Sequence, residues 1–178
     1  MAQTEKLLTD AFWQLLGEKV YKKITVKDIV DLCQVNRNTF YYHFEGIPSL
    51  LEQAVRSWAD MILSEDRPFD TPVHSILPIA EACAARRTAI LNLLNSKARE
   101  IFLSGLEDLC TKAAERCVSF HRGTEKRPVL SEKDRTLLIR FYKAILYGCL
   151  SDWLNGGMEG DFASEMARAA SLAKEAGW

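Results

Sequence analysis

Apolar residues recur at three- and four-residue steps along most of this chain, which is the spacing of amphipathic helices. No stretch alternates apolar and polar residues as a half-buried strand does. The pattern therefore predicts an all-α protein of about nine helices, with a three-helix N-terminal head and a longer helical body. The first helix runs from Thr4 to about Lys19, and its inner stripe comprises Leu8, Ala11, Phe12, Leu15 and Leu16.

Residues 25–44 predict two short helices joined by a tight turn. Thr25 can cap the first helix, and Asp28 can return a hydrogen bond to the N–H of the cap. Gln34 begins the turn, and Asn36 is a good N-cap for the second helix. The stretch therefore reads as a helix-turn-helix.

The second of these helices carries an unusual outward face. Phe40 and Phe44 are four residues apart and are expected to face inward. Periodicity alone also allows a small core helix with some surface tyrosines. The polar and aromatic outward set suits a DNA major groove instead. That set comprises Arg37, Asn38, Tyr41 and Tyr42, with Thr39 and His43 at its margins.

The run Ile24-Thr25-Val26-x-Asp28-Ile29, followed by Val35 to Phe44, resembles the DNA-binding domain of TetR/AcrR-family transcriptional regulators. The resemblance covers about residues 6–55. It departs from the family at two positions: Gln34 stands where a turn glycine is usual, and Ile47 stands where a lysine is usual. Gln34 must therefore accept the backbone geometry of the turn, and one expected phosphate contact is absent.

The resemblance implies a regulator that binds a double-stranded DNA operator. We expect Arg37, Asn38 and Tyr41 to face bases, and Lys27 to reach the groove edge from the preceding helix. The other members of the set are expected at phosphates. The complete expected DNA-binding set is Thr25, Lys27, Arg37, Asn38, Thr39, Tyr41, Tyr42 and His43.

Charge does not by itself indicate a nucleic-acid partner, since the net charge is −1. The first 50 residues hold six basic and six acidic side chains, so binding would depend on where the charges sit. A rival interpretation is an all-α binding module whose head no longer reads DNA. Gln34 and Ile47 favour that interpretation, whereas Tyr41 and His43 argue against it, because a core does not need them.

Catalytic and metal-binding patterns are missing from the sequence. The five cysteines are odd in number and include no CxxC pair, and the three histidines are scattered. No glycine-rich phosphate loop, GxSxG or HExxH occurs, so we expect neither an enzyme nor a cofactor nor a metal. The chain also shows no signal peptide and no run that could span a membrane, which favours a cytoplasmic protein.

The division into domains is expected near Pro48, with residues 1–47 as the DNA-binding head and residues 48–178 as a regulatory and dimerising body. Pro78 should kink or shorten a helix over Pro72–Ala85. Ser96, Ser131 and Asp161 are expected to begin later helices. Polar loops are expected at Glu65–Pro72 and His121–Leu130.

The family resemblance implies that the body senses an effector. The leading hypothesis is a repressor released by a small molecule, and the alternative is an activator or adaptor controlled by a protein partner. The short body resembles the subgroup that includes the activator of a dihydroxyacetone kinase operon. Large apolar groups with one hydroxyl suit an apolar ligand, although they can equally fill a core. The candidate lining residues are Trp58, Ile62, Phe102, Leu106, Cys110 and Tyr142.

The last two helices are expected to form a homodimer interface, as a four-helix bundle about a two-fold axis. In the penultimate helix the apolar stripe is too wide for one intramolecular contact, and the last helix carries small residues on one face. Both helices could instead cover the core of their own body. The expected interface residues are Phe141, Ile145, Gly148, Cys149, Trp153, Phe162, Met166 and Ala170.

Overall fold

Helices make up most of the described part of the chain. The computed structural model describes residues 2–64, 71–120 and 130–176, and no strand occurs in these ranges. This confirms the all-α prediction. Within these ranges the helices are α1 (Ala2–Glu18), α2 (Val26–Cys33), α3 (Arg37–His43), α4 (Ile47–Ser64), α5 (Pro72–Ala85), α6 (Arg87–Leu94), α7 (Arg99–Phe120), α8 (Glu132–Asn155) and α9 (Phe162–Glu175).

The chain divides into two compact units. The first unit contains the residues up to Met61 together with Arg86–Leu106, and the second contains Ile62–Ala85 and the chain from Glu107 onward. The functional boundary expected near Pro48 is a different kind of division and stays a prediction. The predicted loops at Glu65–Pro72 and His121–Leu130 lie mostly outside the described residues.

The first unit is built around α1, whose predicted inner stripe is buried. Trp13 is buried as well, which periodicity did not predict. Its ring lies 5.9 Å from that of Trp58, and the guanidinium of Arg86 lies 5.5 Å from the Trp13 ring centre. Asn92 of α6 donates to the carbonyl of Leu16 over 2.8 Å. The contacts of Arg86 and Asn92 hold α6 against α1, and that of Trp58 joins α4 to α1.

In the second unit, α5 packs against both α8 and α9. The core-facing side of α8 consists of Leu146, Leu150 and Leu154, which are fully buried or nearly so. The stripe expected for dimerisation lies on other faces of this helix. Among the residues described, no helix is both long enough and apolar enough to cross a membrane.

One predicted helix boundary agrees with the structure and another differs from it. The helix α5 runs from Pro72 to Ala85 with Pro78 inside it, so the proline does not shorten the helix. Ser96 accepts a hydrogen bond from the N–H of Ala98 over 3.0 Å, but α7 begins only at Arg99. Ser96 thus belongs to the turn that precedes α7. Ser131 and Asp161 do cap α8 and α9 as expected.

Candidate nucleic-acid interface

The entry to α2 is fixed by a reciprocal capping box. The N–H of Asp28 donates to Thr25 Oγ1 over 3.2 Å, and the N–H of Thr25 donates to Asp28 Oδ2 over 2.8 Å. The ammonium of Lys19 lies 2.8 Å from Asp28 Oδ1. Hydrogen bonds from Lys19 and then from Thr25 lower the pKa of Asp28 to about 2. The hydroxyl of Thr25 is therefore already engaged within its own chain.

The turn between α2 and α3 depends on one residue in a left-handed conformation. Gln34 has φ 55° and ψ 38°, which is the region that glycine adopts without cost. The next residue, Val35, donates to the carbonyl of Val30 over 3.0 Å and closes the end of α2. The strain expected at a non-glycine turn residue is therefore present, and the turn still forms.

The helix α3 is held by two buried rings and one cap. Phe40 and Phe44 are buried, and their ring centres lie 5.8 Å apart. Asn36 Oδ1 accepts a hydrogen bond from the N–H of Thr39 over 2.8 Å. Tyr41 and Tyr42 on the opposite face are 57% and 72% exposed. Arg37 and Asn38 are exposed on the first turn of this helix.

The two residues expected at the margins of this face are less accessible. The hydroxyl of Thr39 lies 3.2 Å from Asn36 Oδ1. The side chain of His43 is only 6% exposed, and its Nδ1 lies 3.2 Å from Glu5 Oε1 on α1. Sequence reasoning missed Glu5, because no local pattern links two residues 38 positions apart. A carboxylate on α1 thus fixes the orientation of the last side chain of α3.

The surface around α2 and α3 carries few charged side chains, and they are not evenly distributed. Lys6 pairs with Asp10 over 2.5 Å, and Lys19 pairs with Asp28, so these two lysines are engaged within the chain. The side chains of Lys27 and Arg37 are exposed on α2 and α3. Lys22 and Lys23 are exposed on the 3₁₀ turn Tyr21–Lys23 just before α2. Positive charge is therefore available near the two helices, although the net charge of the head is zero.

Comparisons with known proteins identify the family. Residues 8–54 match the family model described as bacterial regulatory proteins, tetR family. Residues 70–173, more than half of the chain, match the model described as transcriptional regulator C-terminal region of the TetR type. This chain belongs to the TetR family of transcriptional regulators. It is therefore a DNA-binding regulator with a helix-turn-helix, and the family does not typically consist of enzymes.

Solved structures of TetR-type regulators share the fold. The dihydroxyacetone kinase operon activator DhaS superposes with a TM-score of 0.70 at 15% identity, over 97% of this chain and 94% of that one. The fatty acid degradation regulator FadR from Bacillus halodurans gives 0.58 at 15% identity, over 94% and 93% of the two chains. A TetR-family regulator from Syntrophomonas wolfei str. Goettingen gives 0.51 at 16% identity, over 82% and 95%. No curated protein sequence matches the chain.

The predicted dimer residues of this TetR-family regulator lie on α8 and α9. Phe141 is 53% exposed and Ile145 is 37% exposed, and Ala170 is also exposed. A Cβ atom on Gly148 would meet nothing within 4 Å, so its surface is open. The structure gathers the remaining four residues around one cavity of about 380 Å³ at the junction of α8 and α9. These four are Cys149, Trp153, Phe162 and Met166.

The predicted ligand-lining residues are mostly buried. Trp58, Phe102 and Leu106 belong to the first unit, where the rings of Trp58 and Phe102 lie 6.3 Å apart. The remaining three, Ile62, Cys110 and Tyr142, belong to the second unit. Burial raises the pKa of the Cys110 thiol to about 12, so this cysteine is an inert apolar group near neutral pH. Whether the six residues line an effector site stays a prediction.

Within the described residues, the side chains that could bind a metal ion do not cluster. Across residues 2–64, 71–120 and 130–176, no group of three histidine, cysteine or acidic side chains could hold a metal ion. All five cysteines are free thiols, three of them buried. The arrangement on α2 and α3 instead offers hydrogen-bond donors, exposed rings and a few cations, which are the groups that bind nucleic acid.

Proposed function

We propose that the protein binds its operator as a homodimer and acts as a repressor that a small-molecule effector releases. One observation carries the DNA-binding part of this proposal. On α3, buried Phe40 and Phe44 hold the helix in place while Arg37, Asn38 and Tyr41 stay exposed on the opposite face. Groups capable of specific hydrogen bonds are therefore presented on a rigid support.

The exposed groups of α3 match the chemistry of base edges. An arginine can bond bidentately to guanine O6 and N7, and an asparagine to adenine N6 and N7. We assign these roles to Arg37 and Asn38, with Tyr41 beside them. Phosphate contacts are assigned to Lys27, Thr39, Tyr42 and His43, and also to Thr25, whose hydroxyl would have to exchange its hydrogen bond to Asp28 for one to a phosphate. In this assignment Glu5 fixes the orientation of the His43 ring through Nδ1.

Two heads are needed because one α3 covers only one half-site. Successive major grooves on one side of B-DNA lie about 34 Å apart, so a dimer must hold two recognition helices at that spacing. The exposed apolar residues of α8 and the small exposed residues of α9 support a dimer through these helices. Such an interface is isologous, with the same patch on both subunits.

Regulation is proposed to act through a population shift. The body is proposed to have two arrangements, and in one of them the heads do not fit the operator. An effector that binds this arrangement more tightly weakens DNA binding. The loss of binding free energy cannot exceed the difference between the effector's binding free energies for the two arrangements. One detail supports a ligand with a polar group. The indole Nε1 of Trp58 is buried and, within the described residues, has no hydrogen-bond partner. The alternative is control by a protein partner, with activation as the outcome.

A capture of genomic DNA fragments tests the DNA-binding proposal most directly. The wild-type protein should enrich a small set of fragments at low and at moderate salt. A triple variant, Arg37→Ala with Asn38→Ala and Tyr41→Ala, should lose the enrichment, while the matched control Arg56→Ala on α4 should keep it. Equal enrichment by the triple variant would refute the assigned role of α3.

A thermal-shift panel of metabolites tests the proposed effector. A compound that raises the unfolding temperature and also releases DNA would support the repressor mechanism, because a ligand that binds only the folded protein stabilises it. No shift across the panel, together with a specific protein that co-purifies and alters operator binding, would support the partner-driven alternative.

A further inference from the structure

Charge is divided along the α8–α9 segment. Residues 132–143, in the first half of α8, carry four basic and two acidic side chains. Residues 144–165, which reach from the middle of α8 into the first turn of α9, carry four acidic side chains and no lysine or arginine. Those acidic residues are Asp152, Glu159, Asp161 and Glu165, all exposed. Because Lys143 pairs with Glu107 of α7, the other charged side chains of the first stretch leave it a net charge of +1, whereas the second stretch has a net charge of −4.

The exposed stripe of α8 connects the two ends. Leu137, Phe141, Ile145, Gly148 and Asp152 follow one another at three- and four-residue steps, so they share one face of the helix. Leu137 and Phe141 are 65% and 53% exposed, and Leu146, Leu150 and Leu154 occupy the opposite, buried face. Apolar groups of this size at the surface indicate a contact with another molecule.

We propose that Arg140 of one protomer pairs with Asp152 of a second copy, and that this pair, formed twice by symmetry, sets α8 antiparallel to its counterpart. The proposal rests on the homodimer proposed above. Arg140 and Asp152 are both exposed. Arginine is suited to this contact because its planar guanidinium can hold a carboxylate with two hydrogen bonds.

The spacing along α8 agrees with the proposed pair. Arg140 lies five residues before Ile145, and Trp153 lies five residues after Gly148. A two-fold axis that crosses the stripe between Ile145 and Gly148 therefore places Arg140 level with Trp153 of the other protomer, next to Asp152. Gly148 has no side chain at this crossing, so the two backbones can approach closely there.

Charge also argues against the opposite direction. With the two α8 helices parallel, Asp152 of one protomer would lie beside Asp152 of the other, and Arg140 would lie beside Arg140. Like charges placed side by side in a partly dry interface raise the free energy of the dimer. The antiparallel direction instead brings each basic end to an acidic end. The partner that fits this surface is a second copy of this chain.

Complementary charge reversal tests the pairing. Arg140→Glu alone should raise the dissociation constant of the dimer roughly tenfold or more, since two attractive pairs become repulsive. Asp152→Lys alone should have a similar effect. An equimolar mixture of the two variants should form heterodimers with nearly wild-type affinity, because both of its pairs are complementary. Arg56→Glu on α4 makes the same charge change outside the segment and should leave the dimer unchanged.

Sedimentation equilibrium measures the dissociation constants, and a tag on one variant detects the heterodimer by co-purification. A wild-type dimer that is insensitive to both substitutions, or single variants that the mixture does not rescue, would overturn the pairing while leaving the homodimer intact. A wild-type protein that stays monomeric at every concentration tested would overturn the proposed homodimer itself, and the pairing with it.

Discussion

The helices α3 and α8 both expose aromatic or large apolar residues above a buried apolar face, but the exposed groups differ in kind. On α3 they are Tyr41 and Tyr42, which carry hydroxyls, beside Arg37 and Asn38. On α8 they are the purely apolar Leu137, Phe141 and Ile145. Tyrosine rings with exposed hydroxyls suit a hydrated, charged partner such as DNA. Aliphatic and phenyl groups instead suit a partner whose own apolar surface excludes water from the contact.

The comparison teaches that exposure alone does not identify a partner. Both α3 and α8 are amphipathic surface helices with exposed hydrophobic residues. The chemistry of the exposed atoms separates them, and so does the distribution of charge. The head places a few cations near α2 and α3 on a neutral background, while the α8–α9 segment is positive at one end and negative at the other.

Truncation on the two faces of α3 should separate stability from recognition. Phe40→Ala removes a fully buried ring and should destabilise the head by about 3–5 kcal/mol. Tyr41→Ala, on the exposed neighbour, should leave the unfolding midpoint nearly unchanged and still weaken operator binding. Chemical denaturation and a DNA-binding titration on both variants check this. A Tyr41→Ala variant that binds DNA normally would remove that residue from the interface.

A charge placed in the small-residue face of α9 should break the dimer. Ala170→Arg would bury an unpaired guanidinium at the proposed seam, at a cost of about 3 kcal/mol or roughly a hundredfold in dissociation constant. Operator binding should be lost with it, since one head reaches only one half-site.

The control for this substitution is Ala84→Arg, at an exposed position on α5. It should remain a dimer with unchanged circular dichroism. If Ala170→Arg sediments as a dimer of unchanged affinity, the interface lies elsewhere. A helical monomer that no longer binds the operator is the result we expect.

Lowering the pH should reduce the stability of the head, because Asp28 helps to hold the start of α2 as a carboxylate. Its pKa in the folded protein, about 2, is below the ordinary value of 3.8, so the ionised carboxylate favours folding. The stabilisation is present above the unfolded pKa and is lost as pH falls through the folded pKa.

The substitution Asp28→Asn weakens the capping box and should lower the free energy of unfolding by about 1 kcal/mol near neutral pH. The difference in unfolding free energy between the two proteins should shrink below about pH 4 and be lost only as the pH falls below about 2. A difference independent of pH would show that charge is not its source.

Restoring a lysine at position 47 should have the smallest effect. With roughly four to six phosphates neutralised per dimer, the slope of log K against log salt should be about −4 to −5 for the wild type. Ile47→Lys should steepen the slope by about 2 and tighten binding to all sequences alike. Titrations at several salt concentrations measure both slopes. A wild-type slope near −10 would indicate many more phosphate contacts than this surface offers.

The local features of the head could be predicted from the sequence because short-range chemistry decides them. The capping box of Thr25 and Asp28, the Asn36 cap and the left-handed Gln34 each depend on residues within a few positions. The inward Phe40 follows from the helical period in the same way.

Contacts between distant residues could not be predicted in this way. The pair of Glu5 with His43 joins α1 to α3, and Asn92 reaches the end of α1 from α6. The interface residues predicted on α8 also left out Leu146, Leu150 and Leu154, which the structure buries. These features depend on which helices pack together, and periodicity within one helix carries no such information.

Binding-site selection with wild type and Arg37→Ala tests the central claim, that the exposed face of α3 reads base sequence. We expect the variant to lose preference at one or two base positions and about 1–3 kcal/mol of binding free energy, with the preference at other positions kept. Arg56→Ala serves as the matched control and should select the wild-type site. An unchanged set of preferred bases for Arg37→Ala would show that α3 does not read base sequence through this residue.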